Sequence, residues 1–205
     1  MNLKGYNGKK PKKLEKGDIE FLGTLNNLIK NVTNYFLDYE YSKARAEIEK
    51  FFWSDFCDNY LETVKKVVYQ GKEDEKQSVN YTLYRSLFTI LKLIAPIMPF
   101  ITEDIYQRYY QKKEKDRSIH ISKWPKTGNE KYKGYWDIIK RYLSKVKKHK
   151  SDNQMPLNAP LDSIILPRKD YEMIISNNYK NRFLAVSGAV LLDSGEEFKI
   201  EGNNK

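Results

Sequence analysis

The sequence has few residues of the kinds that form disulfides and metal sites. Cys57 is its single cysteine, so no disulfide can form within one chain. The two histidines, His120 and His149, lie far apart, whereas a zinc site needs about four ligands at close spacing. We therefore predict no metal site, and we expect Cys57 to be a small buried residue of an aromatic helical stretch.

Enzyme signatures are also missing. The chain contains no G-x-x-x-x-G-K phosphate-binding loop, no G-x-G-x-x-G and no G-x-S-x-G turn. The acidic pairs Glu103-Asp104 and Glu196-Glu197 fit helix capping and a turn better than acid–base chemistry. We predict no catalytic residue in this chain. A hydrolase or transferase with an unrecognised site is the least favoured alternative.

Long hydrophobic runs are absent as well. No apolar stretch approaches the roughly 20 residues that a membrane-spanning helix needs. No signal peptide is visible, which predicts a cytoplasmic protein without a membrane partner. Positive charge, in contrast, is abundant, with a formal net charge of +10 and a pI near 9.3. This charge favours an anionic partner such as a nucleic acid, or it reflects a general enrichment in lysine that keeps proteins soluble.

The apolar pattern predicts a helical protein organised around one corner. Apolar residues recur at helical spacing over residues 79–94, which predicts a central buried helix. Pro96 and Pro99 end this helix because they lack the amide hydrogen that would continue it. Thr102 then has the side chain of a helix cap, so a return helix is predicted to begin there.

Similar signals predict the remaining elements. Asp18 is predicted to cap an amphipathic helix, and Ser42 is predicted to cap a longer helical region through Tyr69. Apolar spacing over residues 135–146 predicts a further helix. Beyond residue 150 the pattern changes to short elements. We predict strands at residues 163–166, 189–192 and 198–200, the last two joined by a turn, and a helix at residues 169–178.

The predicted fold class is therefore mainly α, in three parts. Residues 1–17 form a basic linker or leader. Residues 18–150 form a bundle of about five helices. Residues 151–205 form a small mixed α/β appendage.

Four segments of the chain resemble valyl-tRNA synthetases, which are class Ia aminoacyl-tRNA synthetases. Residues 52–62 (FWSDFCDNYLE) are similar to their F-W-x-[DE]-F-C-D-W-Y-[LI]-E segment. Residues 95–106 (APIMPFITEDIY) are similar to their H-P-x-M-P-F-[IL]-T-E-E-[IL]-[WY] corner. Residues 118–125 (SIHISKWP) resemble their S-[IV]-H…W-P segment, and residues 154–160 (QMPLNAP) resemble the stretch after their last bundle helix. The sequence departs from the family at Ala95 and Asn59, where the patterns have histidine and tryptophan.

The resemblance implies a helical anticodon-binding region from the C-terminal part of a larger enzyme. That enzyme ligates valine to tRNA with ATP and magnesium, at a site with H-I-G-H and K-M-S-K-S signatures that this sequence lacks. The chain alone is therefore expected to be no enzyme and to bind no cofactor. Expected partners are tRNA with a valine-type anticodon and the catalytic and editing domains of the same enzyme, and we expect a monomer. Two alternatives stay open: the same domain of an isoleucyl- or leucyl-tRNA synthetase, and a helical module that binds an acidic protein.

With RNA as the partner, lysine and arginine contact phosphates and thereby position the nucleic acid. The densest cationic cluster is predicted to contact the anticodon stem through Lys140, Arg141, Lys145, Lys147, Lys148 and Lys150. Lys65 with Lys66 forms a second predicted patch, and Lys43 with Arg45 forms a third. The alternative for each patch is a solvated helix face without a partner.

Unpaired bases of RNA stack on exposed aromatic side chains. The spacing of Trp53, Tyr60 and Trp136 predicts that these three are core residues. The candidates for stacking are therefore Tyr6, Tyr109, Tyr110 and Tyr132, which the sequence does not rank.

Overall fold

Helices dominate the computed structural model, which describes residue 6 and residues 8–202. The first part contains α1 (Lys16–Leu37), α2 (Tyr41–Lys50), a π-helical segment (Phe51–Leu61), α3 (Glu62–Gln70), α4 (Glu73–Ile94), α5 (Pro99–Tyr109) and α6 (Gln111–Glu114). A 3-10 turn (Ile119–Ile121) and α7 (Tyr135–Asp152) follow. The chain then forms β1 (Leu161–Pro167), α8 (Arg168–Ser176), α9 (Lys180–Ser187), β2 (Ala189–Gly195) and β3 (Lys199–Glu201). This order confirms a mainly helical protein with a small α/β appendage.

The core of the bundle is built around aromatic rings from different helices. The rings of Phe21 in α1 and Tyr60 in the π-helical segment stack with centroids 3.9 Å apart. Trp136 of α7 meets Phe21 edge-on at 5.2 Å. All three side chains are fully buried, which confirms the predicted core positions of Tyr60 and Trp136. Ring pairs in these offset and edge-on arrangements add to the stabilisation that burial provides.

The corner lies where it was predicted, but its cap does not. Helix α4 ends at Ile94 and α5 begins at Pro99. Thr102 is buried inside α5, and its hydroxyl donates to the carbonyl of Met98 at 2.8 Å. The predicted cap at Thr102 is therefore wrong. Proline tolerates the first helical position because the amide hydrogen that it lacks would have no partner there, so α5 begins before the first good capping side chain.

The other two predicted caps are also inside helices. Helix α1 begins at Lys16, and Asp18 is a buried ion-pair residue instead of a cap. Helix α2 begins at Tyr41, one residue before Ser42. Part of the predicted leader, residues 1–5 and 7, lies outside the described residues. Within the rest of the leader, the Lys10 ammonium pairs with the Glu130 carboxylate at 2.5 Å.

Glu103 ties the segment after α6 to the first part of α5. Its carboxylate accepts hydrogen bonds from the Ser118 hydroxyl at 2.8 Å and the Ile119 amide at 3.0 Å. The Gln107 side chain donates a third at 2.7 Å. Partial burial raises the pKa of Glu103, but these hydrogen bonds lower it by more, so its pKa lies below the usual value. The carboxylate form therefore holds the 3-10 turn in place.

We expect Glu103→Gln to destabilise the protein by about 1 kcal/mol at neutral pH, because an amide accepts these bonds more weakly. A carboxyl whose pKa is lower in the folded state stabilises the fold above its unfolded pKa and loses that effect as pH falls through the folded pKa. The difference between wild type and variant should therefore shrink in acid, as measured by thermal unfolding across a pH series. Asp104→Asn, which touches only the exposed pair with Arg108, is the control and should change little. A Glu103→Gln difference that persists unchanged in acid would contradict this role.

The appendage is a three-stranded sheet in the order β2-β1-β3, covered by α8 and α9. Strand β1 pairs with β2 in parallel, with Leu161 opposite Ala189, and with β3 in antiparallel, with Ile164 opposite Ile200. The predicted strands and the predicted helix are confirmed. The two strands predicted to be joined by a turn, β2 and β3, do not pair with each other, since each pairs with β1. A parallel connection needs a long crossover, and α8 with α9 supplies it. Helix α9 was not predicted, because its eight residues are too short to show helical periodicity.

One hydrophobic core continues from the bundle into the appendage. Leu161, Phe183 and Leu192 of the appendage belong to the same buried cluster as Trp136 of α7. The buried guanidinium of Arg182 in α9 also reaches the carboxylate of Asp18 in α1. The appendage is therefore fixed on the bundle. In the part of the chain that the structure describes, no helix is both long enough and apolar enough to cross a bilayer.

Candidate nucleic-acid interface

Two cavities flank the π-helical segment where it runs beside α7. The first, which we name the lysine cleft, has a volume of about 520 Å³ and is lined by Lys65, Lys66, Lys147 and Lys150 together with residues of α7 and α9. The second, the α2 cleft, has a volume of about 470 Å³ and contains Lys43, Lys50 and Lys140. Each cleft brings together cations that are far apart in the sequence.

The structure therefore joins parts of the three predicted patches. The lysine cleft unites Lys65 and Lys66 with Lys147, and the α2 cleft unites Lys43 with Lys140. Four further predicted residues line neither cleft. They are Arg45, which pairs with Glu49; Arg141, which pairs with Asp170; Lys145, which lies over the Tyr142 and Phe198 rings; and Lys148.

Carboxylates neutralise some of these cations but not others. Lys140 pairs with Asp55 at 2.5 Å and with Asp137 at 3.0 Å. Burial lowers its pKa, but the hydrogen bond to Asp55 and the other acidic contacts outweigh burial, so the pKa of Lys140 is raised. Lys65 pairs with Glu62 in an exposed bridge. Exposed pairs of this kind contribute little stability, so such a lysine can exchange its carboxylate for a phosphate at low cost.

Three lysines of this surface carry charge that no described carboxylate neutralises. Lys66 and Lys148 are exposed, and within residues 6 and 8–202 neither forms an ion pair. Lys147 donates to the backbone carbonyl of Asp58 at 3.0 Å, which leaves its net charge uncompensated. We name Lys66, Lys147 and Lys148 the open lysines. Charge that no neighbouring carboxylate neutralises attracts anions from a distance, so the open lysines are the residues of this surface that attract a phosphate.

Lys150 is not part of an exposed patch, which corrects the prediction for this residue. Its side chain is 1% exposed, and its ammonium donates to the carbonyls of Leu157, Ala159 and Ser187 at 2.9, 2.6 and 2.8 Å. Burial lowers the pKa of Lys150. The end of α7 runs beneath the appendage, so this lysine joins the two parts of the fold and cannot reach a phosphate from its present position.

Lys150→Met keeps the apolar stem but removes the ammonium that donates to these carbonyls. We expect a loss of about 2 kcal/mol or more in unfolding free energy, because buried carbonyls would lose their donor. Urea unfolding of both proteins measures it. Lys148→Met, on the exposed face of the same helix, is the control and should stay within about 0.5 kcal/mol of wild type. Equal stability of the Lys150 and Lys148 variants would contradict the structural role.

The exposed aromatic residues are only partly the predicted ones. Tyr109 is exposed as predicted, but Tyr110 is 3% exposed and belongs to the core around Tyr106. Trp53, predicted to be buried, is 62% exposed. It lies in the π-helical segment, where the wider turn displaces residues from the faces that α-helical spacing assigns.

The remaining aromatic candidates and the cysteine are intermediate in exposure. Tyr6 packs against the ring of Tyr84, and the Tyr132 hydroxyl donates to Asp137. Cys57 is half-buried on the wall of the lysine cleft instead of fully buried. Burial, and then the charge of Asp58, raise the pKa of its thiol. Among residues 6 and 8–202, no group of three or more His, Cys, Asp or Glu side chains is placed to hold a metal ion.

Comparisons with known proteins match the part of the chain that forms the α2 cleft and most of the lysine cleft. The family model described as the anticodon-binding domain of tRNA ligase matches residues 18–165. A valine–tRNA ligase of Haloarcula marismortui is 38% identical over 160 residues, which are 75% of this chain and 16% of that protein. The valine–tRNA ligase of Orientia tsutsugamushi is 38% identical over 195 residues (91% of this chain, 22% of that protein). The valine–tRNA ligase of Pyrococcus abyssi is 28% identical over 200 residues (96% and 22%).

The chain thus spans about a fifth of the length of the curated relatives that it matches. The family match extends from α1 through nearly all of β1, so it covers the whole bundle, the π-helical segment and α7. By this match, the chain belongs to the family of anticodon-binding domains of tRNA ligases.

Proposed function

We propose that this chain is the anticodon-binding part of a valine–tRNA ligase and that it binds the anticodon stem-loop of a tRNA with a valine-type anticodon. The observation that carries the proposal is the convergence of lysines from α3 and α7 on one cleft within a domain of this family. The relatives named above are all valine–tRNA ligases, which supports the choice of valine over isoleucine or leucine. Residues 52–62, which resemble the valyl enzymes, form the π-helical wall between the two clefts.

Phosphate contacts supply the affinity in this proposal. The open lysines Lys66, Lys147 and Lys148 displace counterions from the RNA backbone, and the gain in entropy of the released ions drives binding. Lys65 forms an exposed pair with Glu62, and Lys43 forms one with Glu40. On RNA binding, both lysines exchange these carboxylates for phosphates. The more firmly paired Lys140 contributes by keeping the π-helical segment aligned with α7 through Asp55.

The rest of the reaction belongs, on this proposal, to other parts of the ligase. Activation of valine with ATP and magnesium, and its transfer to tRNA, would take place in catalytic and editing domains that contact this one. Alone, the chain would bind RNA as a monomer without ligase activity, and its place of work would be the cytoplasm.

Fluorescence anisotropy with labelled RNA tests the proposed function. We expect the chain to bind the anticodon stem-loop of valine tRNA more tightly than a stem-loop with an isoleucine anticodon and the same stem. An acidic polypeptide should displace the stem-loop no better than a nonspecific polyanion of the same charge does. Preference for the isoleucine stem-loop would assign the domain to another ligase, and binding to the acidic polypeptide without binding to RNA would favour a protein-interaction module.

A further inference from the structure

The lysine cleft combines a cationic rim with an apolar floor. The rim carries Lys65, Lys66 and Lys147. The floor is formed by Leu143 and Val146 of α7, which are both nearly fully buried. Asp58 and Glu62 also line the cleft, but four lysines line it with them, so positive charge prevails. This combination suits a ligand that is an anion at one end and flat and apolar at the other.

The far wall of the cleft belongs to the appendage. It consists of Leu157, Asn158 and residues 185–188, which close α9. Leu157 is 66% exposed, so its side chain is available for contact with a ligand. Asn158 is exposed, and its carboxamide has no hydrogen-bond partner in the part of the chain that the structure describes. A free carboxamide offers a donor and an acceptor to the edge of a nucleobase.

Hydrogen bonds within the protein tie the two sides of the cleft together. The Lys150 ammonium donates to carbonyls of two segments of the far wall, to Leu157 and Ala159 before β1 and to Ser187 at the end of α9. Gly188 completes the wall with a positive φ of 73°, and an added Cβ there would lie 2.9 Å from the Ala159 carbonyl oxygen. A preformed cavity avoids the entropy cost of ordering on binding.

We propose that the lysine cleft binds one unpaired nucleotide of the RNA. Its phosphate would lie against Lys66 and Lys147, its base against the exposed side chains of Leu157 and Ala185, and the edge of its base at Asn158. The volume of about 520 Å³ lies in the range of small-molecule sites, which is about 300–1,000 Å³, so a single nucleotide fits while a duplex does not. This inference rests on the proposed function. It adds that the appendage, whose residues 185–188 lie beyond the residues that the family model matches, contributes to the recognition of the RNA.

The single cysteine gives a direct probe of occupancy, because Cys57 lines the cleft. We would measure the rate of alkylation of Cys57 by N-ethylmaleimide with the anticodon stem-loop, with a blunt RNA duplex of equal charge, and without RNA. At about ten times its Kd, the stem-loop should slow alkylation about tenfold, since the empty fraction falls as 1 + [L]/Kd. The duplex, bound by the outer lysines only, should leave the rate unchanged.

A blocking variant supplies the second readout. Ala185→Trp fills the cleft from an exposed position of α9 without changing the charge. It should weaken stem-loop binding at least about fivefold, the loss expected for one base contact, and leave duplex binding unchanged. Asn181→Trp, exposed on the same helix but outside the lysine cleft, is the control and should bind as wild type does. Thermal unfolding checks that both variants fold.

The outcomes separate the two proposals. Stem-loop binding with an unprotected Cys57, or with an unaffected Ala185→Trp variant, overturns the nucleotide site and leaves the proposed function standing. Absence of stem-loop binding by the wild-type chain overturns both.

Discussion

Replacing Asp18 with alanine is expected to lower the unfolding free energy by about 3–5 kcal/mol, the cost of leaving a buried charge without its partner. Asp18 is fully buried, and both of its carboxylate oxygens bind the guanidinium of Arg182, at 2.5 and 3.1 Å. The hydroxyls of Tyr60 and Ser78 donate to the same carboxylate at 2.7 and 2.6 Å. Burial would lower the pKa of Arg182, but Asp18 outweighs burial and raises it. In the variant the guanidinium still keeps its proton, because arginine stays charged in proteins, and it is then buried without its partner.

Urea unfolding of three variants tests this expectation. The double variant Asp18→Ala/Arg182→Met should recover part of the loss, because it leaves no unpaired charge in the core. Glu172→Ala breaks the exposed pair with Arg168 and, as the control, should stay within about 1 kcal/mol of wild type. An Asp18→Ala variant as stable as the control would mean that the pair does not fix the appendage on the bundle.

Changing the three open lysines, Lys66, Lys147 and Lys148, to alanine is expected to weaken binding of the anticodon stem-loop by about 10- to 100-fold at physiological salt. These lysines lack carboxylate partners among the described residues, so their full charge is available to phosphates. The charge of Lys140 is already neutralised by Asp55 and Asp137. A change of Lys140 should therefore lower the stability of the fold as well as the affinity for RNA. Fluorescence anisotropy measures the change in Kd.

A matched control separates local contacts from net charge. Lys112, Lys123 and Lys126 are exposed, likewise form no ion pair with the described residues, and line neither cleft. Their triple alanine variant has the same net charge as the open-lysine variant. It should bind RNA within about threefold of wild type, because salt screens exposed charges that do not contact the RNA. Equal losses in the two triple variants would show that total charge, and not this surface, governs binding.

The features that depend on local chemistry could be predicted from the sequence. The proline corner follows from the missing amide hydrogens of Pro96 and Pro99, and the helices follow from periodic apolar residues. The motif segments led to the family that the comparisons identify. The caps assigned to Asp18 and Thr102 were wrong because a short polar side chain near a helix start suits a cap and a buried hydrogen bond equally well. Only the tertiary partner, Arg182 for Asp18, decides between them.

The candidate site could be predicted in part. The sequence shows which lysines and arginines are candidates for RNA contact. It does not show which of them lie together, because that depends on the packing of α3, α7 and α9 around one cleft. Nothing in the sequence distinguishes Lys150, which is buried beneath the appendage, from the exposed lysines that precede it on the same helix. Trp53 was assigned to the wrong face because α-helical spacing was applied to a π-helical segment. Contacts between distant segments and changes in helical pitch are the two kinds of information that residue spacing does not contain.

The salt dependence of stem-loop binding tests the central claim, that the open lysines form an RNA-binding surface. We predict that the logarithm of the binding constant of the wild-type chain falls linearly with the logarithm of salt concentration, with a slope of about −2 or steeper from three phosphate contacts. The variant with Lys66, Lys147 and Lys148 changed to alanine should show a slope shallower by about 2–3. Binding that is insensitive to salt, or the same slope in both proteins, would contradict the claim.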